Sequence, residues 1–487
     1  MNDVGKTMNK DTIRLRFAPA PTGMMHLGNV RTALMNYLFA QQKNGTFIIR
    51  VEDTDFQRNF DPEATHIIQD LQWLGIDFNE GPGKGGPRGP YFQSKRTDLY
   101  AEKRAELEHK GLAYRCFCTQ EDLEKKRTRQ QALKQPPRYD RTCTKLTDDE
   151  IVLLLEKKTP FIWRFKFDQN TSVTIVDLAR GAITFDLKNF SDFPITRQDG
   201  SFTFLFANFV DDMLMGITHV FRGEDHLSNT ASQAALYHAF NAPLPVFWHM
   251  PILCNIDGKK LSKRDFGFSL RDLKDAGFVP EAIVNYLAII GGSFKEEIMS
   301  LKELAQTFDF EHIHATGQIK YDVEKLKWMN HKWIAQYTPE QLSLACKPYL
   351  YAAYPQAQQL DDATLTTILN IIRTDLVTLA DCVPALRFYF EPPVLTLKLF
   401  TRVHKENVQP HAEIIRLHIA DIKDHDLLIN NIKMSAKKQN IPLKEIFWFI
   451  RLALMGKANG PSIHDLLAML GTDEAKQRLE KALQLFQ

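Results

Sequence analysis

Two short segments of this chain contain the residue types that bind phosphate. The first, Arg14–Tyr37, reads RLRFAPAPTGMMHLGNVRTALMNY. Its apolar periodicity predicts a strand over residues 14–17 and a helix from Gly28 onward. His26 and Gly28 fall where the loop enters the helix, and there the unpaired backbone N–H groups and the helix dipole favour an anion. A helix cap with a packed histidine is the alternative, so this segment alone does not decide between the two.

The second segment, residues 257–264, reads DGKKLSKR and crowds four cations around Leu261 and Ser262. A lysine-rich loop of this kind can neutralise a polyphosphate while charge builds up on it, which makes Lys260 and Lys263 candidate phosphate ligands. The alternative for this segment alone is an ordinary basic turn. The two segments together favour a polyphosphate site built from distant parts of the chain.

Carboxylates follow a second predicted strand. Residues 52–55, EDTD, come directly after the apolar run Phe47–Val51, and ligands bind at the carboxyl ends of strands in α/β sheets. One of these carboxylates could bind an ammonium group, a ribose hydroxyl or a magnesium-bound water. A solvated acidic turn is the alternative, because Asp61 and Pro62 read as the N-cap and first residue of the next helix.

A third predicted strand, Ile217–Phe221, ends at Arg222. An arginine at this end of a strand is placed to hold a substrate carboxylate through a two-pronged pair. The alternative is an internal salt bridge to Glu224 or Asp212. Asn208 and Asp212 are four residues apart on a predicted helix and therefore share one of its faces.

Three cysteines, Cys116, Cys118 and Cys143, are clustered in the sequence. A Cys-x-Cys pair with a distant third cysteine offers three soft ligands to zinc, whereas a closed structural site needs four. Tyr139 could supply the fourth as a phenolate, while the protonated Lys145, two residues after Cys143, cannot bind metal. Three free thiols without metal are the alternative. Six cysteines in a chain of 487 residues do not indicate a disulfide framework.

Composition excludes several classes of protein. The 487 residues predict two to four domains, and 44% hydrophobic with 25% charged residues is ordinary for a globular protein. The sequence has no run of about eighteen apolar residues, and residues 1–14 lack the apolar core of a signal peptide. We therefore expect a cytoplasmic protein without a membrane partner. The formal net charge of +2 means that a nucleic acid would have to bind through local basic faces.

The motifs, taken in order, resemble one enzyme family. PAPTGMMHLGN and KKLSKR look like the two signature motifs of class I aminoacyl-tRNA synthetases. The strings RFAPAPTG, ALMNYLFA, VEDTD, GPYFQSKR, GITHVFRGEDHLSNT and GKKLSKR follow one another along the chain. This ordered and highly specific set resembles glutamyl-tRNA synthetase over residues 13–335, and the similarity is thinner beyond.

The resemblance implies an α/β Rossmann-like catalytic domain with an inserted α/β acceptor-binding module, followed by an all-α C-terminal anticodon-binding region of the bacterial type. The implied boundaries are residues 1–115 for the first half of the catalytic domain, 116–189 for the inserted module with the zinc site, 190–269 for the second half, 270–335 for a helical stem-contact domain and 336–487 for the anticodon-binding domain. Within the stem-contact domain we expect Lys320–Ile334 to be a basic amphipathic helix.

The resemblance also implies roles, residue by residue. The glutamate pocket would consist of Arg16, Ala20, Glu52, Phe204, Asn208 and Arg222. In it, Arg16 would bind the side-chain carboxylate of glutamate and Glu52 its ammonium group. Ala20 and Phe204 stand where the family often has serine and tyrosine, so two hydroxyls are missing here. The catalytic, ATP-binding set would be His26, Gly28, Asn29, Lys260 and Lys263, and the zinc ligands would be Cys116, Cys118, Tyr139 and Cys143.

The implied reaction is ATP-dependent activation of glutamate, with Mg²⁺ on the pyrophosphate, and transfer to the terminal adenosine of tRNA(Glu). In this family activation usually requires bound tRNA. A second candidate substrate is tRNA(Gln), because Asp375 stands where relatives that reject it often have an arginine. We expect a monomer.

Three other functions fit the sequence less well. A glutamyl-queuosine tRNA(Asp) synthetase would lack the roughly 150 residues beyond Ile334. A non-catalytic RNA-binding paralogue has no need of both intact phosphate-binding motifs. An oxidoreductase would need a Gly-x-Gly-x-x-Gly turn after the first strand, and APAPTGMMHLGN is not one.

Overall fold

The computed structural model describes residues 13–54, 60–292, 294–308, 310, 317–403 and 408–487. Residues 1–12, on which the exclusion of a signal peptide rests in part, and Asp55 lie outside this range. The chain divides into two compact units. The first is Met1–Leu273 with Pro280–Val323, and the second is Lys274–Val279 with Glu324–Gln487.

The first unit contains the strands and most of the helices around them. The strands are β1 (Arg14–Phe17), β2 (Thr46–Ile49), β3 (Ala113–Cys116), β4 (Ile162–Phe165), β5 (Ser172–Asp177), β6 (Gly181–Asp186), β7 (His219–Gly223), β8 (Val246–Met250), β9 (Leu253–Cys254) and β10 (Ile319–Lys320). The helices are α1 (Leu27–Gln42), α2 (Thr65–Trp73), α3 (Thr97–His109), α4 (Gln120–Ala132), α5 (Asp148–Glu156), α6 (Phe204–Leu214), α7 (Leu227–Ala239), α8 (Leu270–Asp275), α9 (Pro280–Ile289) and α10 (Leu301–Thr307). Helix α8 crosses from the first unit into the second.

Parallel strands with intervening helices bring the predicted site residues to one sheet edge. Strand β1 pairs with β2, and β7 pairs with β8, in both cases in parallel. The backbone N–H of Thr218, one residue before β7, donates to the oxygen of Arg14 at 2.9 Å and so joins β1 to the entry of β7. Because the strands run the same way, their carboxyl ends meet where a ligand can bind. The predicted α/β architecture of the catalytic part is confirmed.

The segment that was expected as an inserted module also contributes to this sheet. Strand β5 forms a hairpin with β6 and pairs in parallel with β8 at Asp177 and Phe247, which gives the order β6-β5-β8-β7. An aromatic-rich core lies against it and includes Trp163, Phe165, Phe167, Phe193 and Phe206. Burial of this apolar area is the main stabilising contribution here.

Two predicted helix starts were misplaced. Helix α2 begins at Thr65 and not at Pro62, because Ala64 adopts a left-handed conformation with φ of 57°. The Asp61 carboxylate still caps it, accepting hydrogen bonds from the first three backbone N–H groups of the helix at 2.9, 2.9 and 3.3 Å. The helix expected over Lys320–Ile334 begins only at Val323, since Lys320 belongs to β10 and pairs with β9.

The second unit is helical throughout its described residues, as predicted for the C-terminal region. Its helices are α11 (Val323–Gln336, whose first residue belongs to the first unit), α12 (Pro339–Ala353), α13 (Asp362–Ile372), α14 (Cys382–Ala385), α15 (Arg387–Phe390), α16 (Leu397–Val403), α17 (Gln409–His418), α18 (His425–Lys438), α19 (Leu443–Met455), α20 (Ile463–Leu470) and α21 (Thr472–Gln484). Buried Arg478 links three of these segments, because its Nη1 donates to the oxygens of Phe388 and Leu454 at 2.7 Å each. None of the helices in the described residues is both long and apolar enough to cross a membrane.

Candidate active site

His26 ends the first loop and caps α1. Its Nδ1 accepts a hydrogen bond from the backbone N–H of Asn29 at 3.2 Å, and the Asn29 side chain accepts one from the backbone N–H of His26 at 3.4 Å. Burial, followed by the charge of Lys260, lowers the pKa of His26. The imidazole is therefore neutral, with the proton on Nε2, and this N–H is the donor left for a ligand.

Glycine at position 28 leaves room for the His26 side chain and also lets a ligand approach the backbone. A Cβ at this position would lie 3.0 Å from Cε1 and Nδ1 of His26. Any larger residue would press on the imidazole that caps the helix, so glycine here protects the histidine geometry.

Residues that directly follow the second phosphate-binding segment contact the start of α1, although more than 200 residues separate the two in the chain. The backbone N–H of Leu27 donates to the oxygen of Phe268 at 3.0 Å, and that of Leu270 donates to the oxygen of Met25 at 2.9 Å. The Phe268 ring stacks on His26 with centroids 5.2 Å apart. The chain that leaves the lysine-rich loop therefore lies against the start of α1.

A cavity of about 270 Å³ opens at this junction. Its lining includes Arg16, His26, Gly28, Asn29, Glu52, Phe204, Asn208, Arg222 and Lys260, all of them predicted site residues. Ala20 and Lys263 do not line it. They line a second cavity of about 550 Å³, which shares His26 and Asn29 with the first.

Buried ion pairs hold the polar end of the first cavity. The Nε of Arg16 donates to Asp212 at 3.0 Å, and Nη1 of Arg50 donates to the same carboxylate oxygen at 2.6 Å. Arg50 is fully buried and also lies 3.5 Å from Glu52. Because Asp212 and Asn208 share a face of α6, the amide of Asn208 reaches Glu52 and donates to it at 2.5 Å. Burial raises the pKa of Glu52 in spite of these favourable partners.

Arg222 has no ion pair within the described chain. It forms no salt bridge with Glu224 or Asp212, since Glu224 pairs with Arg180 at 2.7 Å and Asp212 pairs with Arg16 and Arg50. Nη2 of Arg222 donates to Thr230 and Gln233 at 2.6 and 2.8 Å, whereas Nε and Nη1 are buried without a hydrogen-bond partner there. Burial lowers the pKa of Arg222 to about 10. Unsatisfied buried donors of this kind favour an anionic ligand.

The lining residues that the sequence did not assign include the charged residues Arg31 and Asp225. Arg31 is 2% exposed, and its Nε and Nη2 have no partner among the described residues. The sequence contained one indication of this, because Arg31 is a charged residue next to Val30 on the apolar face of α1. Asp225 accepts a hydrogen bond from Lys260 at 3.0 Å and so places that lysine at the cavity. No sequence pattern indicates this pair, because its members come from different loops.

The three clustered cysteines converge as expected. The Sγ atoms of Cys116, Cys118 and Cys143 all lie within 4.8 Å of one another. The Tyr139 hydroxyl lies 3.2 Å from Cys116 Sγ and 3.8 Å from Cys118 Sγ. Zn–S bonds of about 2.3 Å in a tetrahedron place sulfur atoms roughly 3.8 Å apart, so the donor set fits zinc.

Cations flank this cluster. Lys126 Nζ lies 3.9 Å from Cys118 Sγ, and the Arg164 guanidinium lies 4.1 Å from the centre of the Tyr139 ring. Hydrogen bonding with Cys143 is the largest of the effects that lower the pKa of Cys116 to about 4, and the same hydrogen bond raises the pKa of Cys143. Thiolates with nearby positive charge are the form that binds a metal ion.

Comparison with known proteins agrees with this geometry. Residues 12–328 match the family described as tRNA synthetases class I (E and Q), catalytic domain, and residues 341–483 match an anticodon binding domain. A glutamate–tRNA ligase from Anaeromyxobacter sp. (strain Fw109-5) is 37% identical over 98% of this chain and 99% of its own length. The chain belongs to the glutamate–tRNA ligase family. Another relative of that name, from Sulfurihydrogenibium sp. (strain YO3AOP1), is 39% identical over 97% of this chain and 99% of its own length.

A solved member of the glutamate–tRNA ligase family has the same fold. The crystal structure of a glutamate tRNA ligase from Elizabethkingia meningosepticum CCUG26117, in complex with its amino acid, gives a TM-score of 0.88. It is 30% identical and covers 98% of this chain and 100% of its own. The family predicted from the ordered motifs is thus confirmed.

Proposed function

We propose that this chain is a glutamate–tRNA ligase, which activates glutamate with ATP and transfers it to the terminal adenosine of tRNA(Glu). The single observation that carries the proposal is the cavity in which the start of α1 meets the lysine-rich loop beside two buried arginines. A phosphate-binding end and a carboxylate-binding end share one space, as the joining of an amino acid to ATP requires.

The arginines and the acidic group divide the recognition of glutamate. Arg16 and Arg222 bind its side-chain carboxylate, because Arg222 retains unsatisfied donors and Arg16 lies at the same cavity. Glu52 binds the ammonium group, with Asn208 fixing the carboxylate at 2.5 Å. Glutamine would leave the unsatisfied donors of Arg222 without a negative charge, which disfavours it.

Positioning and charge stabilisation supply the catalysis. The α-carboxylate of glutamate attacks the α-phosphorus of ATP in line and pyrophosphate leaves, with Mg²⁺ expected on the phosphates. His26 offers Nε2–H to a phosphoryl oxygen, and Gly28 allows the backbone to approach. Lys260 and Lys263 neutralise the charge that develops on the leaving pyrophosphate.

The two residues that differ from the family pattern, Phe204 and Ala20, lie in different cavities. Phe204 lines the glutamate cavity and packs against His226 with ring centroids 5.7 Å apart. Ala20 lines the second cavity instead. The hydroxyl that is missing at Phe204 would therefore affect the binding of glutamate. The hydroxyl that is missing at Ala20 would affect contacts with the part of the substrates that enters the second cavity.

Charging of tRNA(Gln) in addition to tRNA(Glu) is part of the proposal. Its support is Asp375, an exposed residue that follows α13. The match of residues 341–483 to an anticodon binding domain disfavours the queuosine-type alternative. The boundaries of the five domain segments, a cytoplasmic location and a monomeric state stay predictions from the sequence.

Pyrophosphate exchange tests the function. Glutamate-dependent exchange is measured without tRNA, with tRNA(Glu) and with tRNA(Gln), and glutamine replaces glutamate as the control amino acid. We expect exchange with glutamate and tRNA(Glu), and none with glutamine. Absence of exchange under every condition would refute the enzyme, and exchange restricted to tRNA(Glu) would refute the wider tRNA range.

The cysteine cluster is proposed to hold one zinc ion on Cys116, Cys118, Tyr139 and Cys143. Four anionic ligands exceed the charge of the metal by two, and Lys126 and Arg164 lie close enough to offset this excess. The metal would have a structural role in joining β3 to the segment after α4. Elemental analysis of chelator-free protein should give about one zinc per chain, and less than about half an equivalent would refute the site. Tyr139→Phe should weaken retention of zinc, whereas Tyr114→Phe, a nearby control, should not.

A further inference from the structure

Behind Arg222, three buried side chains form one continuous hydrogen-bond chain. Asp177 at the end of β5 lies 2.7 Å from Nδ1 of His249 on β8. The Nε2 atom of His249 lies 2.6 Å from the hydroxyl of Thr230 on α7. Thr230 in turn accepts a hydrogen bond from Nη2 of Arg222 at 2.6 Å. The chain runs from the sheet to the guanidinium that lines the glutamate cavity.

Only one arrangement of protons satisfies these distances well. Arginine can only donate, so Thr230 accepts from Arg222 and gives its own proton to Nε2 of His249. The competing acceptor, the oxygen of His226, is farther away at 3.2 Å. His249 then carries its proton on Nδ1 and donates it to Asp177. This requires a neutral imidazole, and burial lowers the pKa of His249.

The far end of the chain is firmly anchored. The Oδ1 atom of Asp177 accepts the backbone N–H groups of Ala179 and Arg180 at 3.0 Å each. Its Oδ2 atom also accepts the backbone N–H of His249 at 3.0 Å. With every position satisfied, Asp177 cannot turn without losing backbone hydrogen bonds, and the orientation of the imidazole is fixed.

The chain leaves Arg222 with one committed nitrogen and two available ones. Nη2 is occupied by Thr230 and by Gln233, whose amide donates onward to Asn208 at 2.9 Å. The unsatisfied Nε and Nη1 are the donors that remain for a ligand. A nucleophilic role for Thr230 is excluded, because its residue is fully buried and its oxygen already accepts from Arg222.

We propose that Asp177, His249 and Thr230 are positioning residues that hold Arg222 in the orientation needed for the side-chain carboxylate of glutamate. The inference rests on the proposed glutamate-activating function. It predicts that loss of the Thr230 hydroxyl damages recognition of glutamate and leaves recognition of ATP intact, which a merely structural threonine would not do.

The test measures pyrophosphate exchange in the full-length protein carrying Thr230→Val or Thr230→Ser. Valine keeps the volume and removes the hydroxyl, and serine restores it. We expect Thr230→Val to raise KM for glutamate about tenfold or more, with KM for ATP changed less than about twofold. Thr230→Ser should return KM for glutamate to within about threefold of the unmodified protein. Thr196→Val is the matched control, since Thr196 is also buried and accepts a backbone hydrogen bond at 2.9 Å from Trp163.

The outcomes separate the inference from the function on which it rests. Absence of exchange in the unmodified protein refutes the function itself. Exchange with equal KM values for the valine and serine variants, or parallel rises in both KM values, refutes the positioning role. If Thr230→Val does not fold, Asp177→Asn replaces it. With the amide oxygen kept at Oδ1 by the backbone N–H groups of Ala179 and Arg180, the amide nitrogen takes the place of Oδ2, cannot accept from His249 and releases the imidazole. The same selective rise in KM for glutamate is expected, and an unchanged KM refutes the inference.

Discussion

The two ends of the cavity hold their positive charges in different ways. At the carboxylate end, Arg16, Arg50 and Arg222 are 3%, 0% and 6% exposed. At the phosphate end, the side chains of Lys260 and Asp225 are 66% and 45% exposed. The positions of the arginines are fixed by burial when the protein folds. The pair of Lys260 and Asp225 is exposed, so water can replace either partner. Recognition of glutamate is therefore built into the core, and charge on the phosphates is met by groups that can adjust.

The largest expected effect of this difference is on stability. Asp212→Asn should lower the free energy of unfolding of the first unit by about 3–5 kcal/mol, because Arg16 and Arg50 lose a buried counter-charge. Asp225→Asn is the matched control at the exposed pair and should cost only about 0–1 kcal/mol. Native-state hydrogen exchange of amides in β1 and β2 measures both. Equal losses would contradict the contrast between the two ends.

The second effect is on rate and concerns the loop. Lys263→Ala should lower kcat for pyrophosphate exchange by about 10²–10³-fold, because the lysine stabilises charge that appears only in the transition state. KM for glutamate should change little. Lys259→Ala, on the same loop but outside both cavities, is the control and should stay near the unmodified rate. Equal losses of rate and of glutamate affinity in the Lys263 variant would refute the transition-state role.

Local sequence patterns predicted strand β1, the position of His26 at the start of α1 and the cations of the lysine-rich loop, because each of these depends on residues that are close in the chain. The ordered motifs extended this to Arg16, Glu52, Asn208 and Arg222, which the fold brings to one cavity. Positions that depend on contacts between distant parts of the chain could not be predicted in this way. Nothing in the sequence shows that Ala20 lines the second cavity and not the first. The left-handed conformation of Ala64, which makes α2 begin later, is not predicted by the conformational propensity of alanine. His249 and Thr230 were missed because their partners are set by the register of β7 with β8 and by the packing of α7 against these strands.

The third effect concerns the ammonium group of glutamate. Glu52→Gln should raise KM for glutamate by about 10–100-fold, which corresponds to loss of one charged hydrogen bond. KM for ATP should stay within about twofold, since Glu52 lies at the carboxylate end. Exchange kinetics with each substrate varied in turn measure both values. A parallel rise in the two would indicate that Glu52 supports the fold of the cavity instead of reading the ammonium group.

The smallest effect is a dependence on pH, and its sign follows from burial. Burial raises the pKa of Glu52, so its carboxylate is charged above that raised value and becomes protonated as the pH falls through it. Binding of the ammonium group requires the charged form. KM for glutamate should therefore rise on acidification, by about tenfold for each pH unit below the pKa. The Glu52→Gln variant carries no such group, and its KM for glutamate should be flat over the same range. An identical acid limb in both proteins would place the titrating group elsewhere, and the carboxylate end would then no longer be the site at which pH acts on recognition.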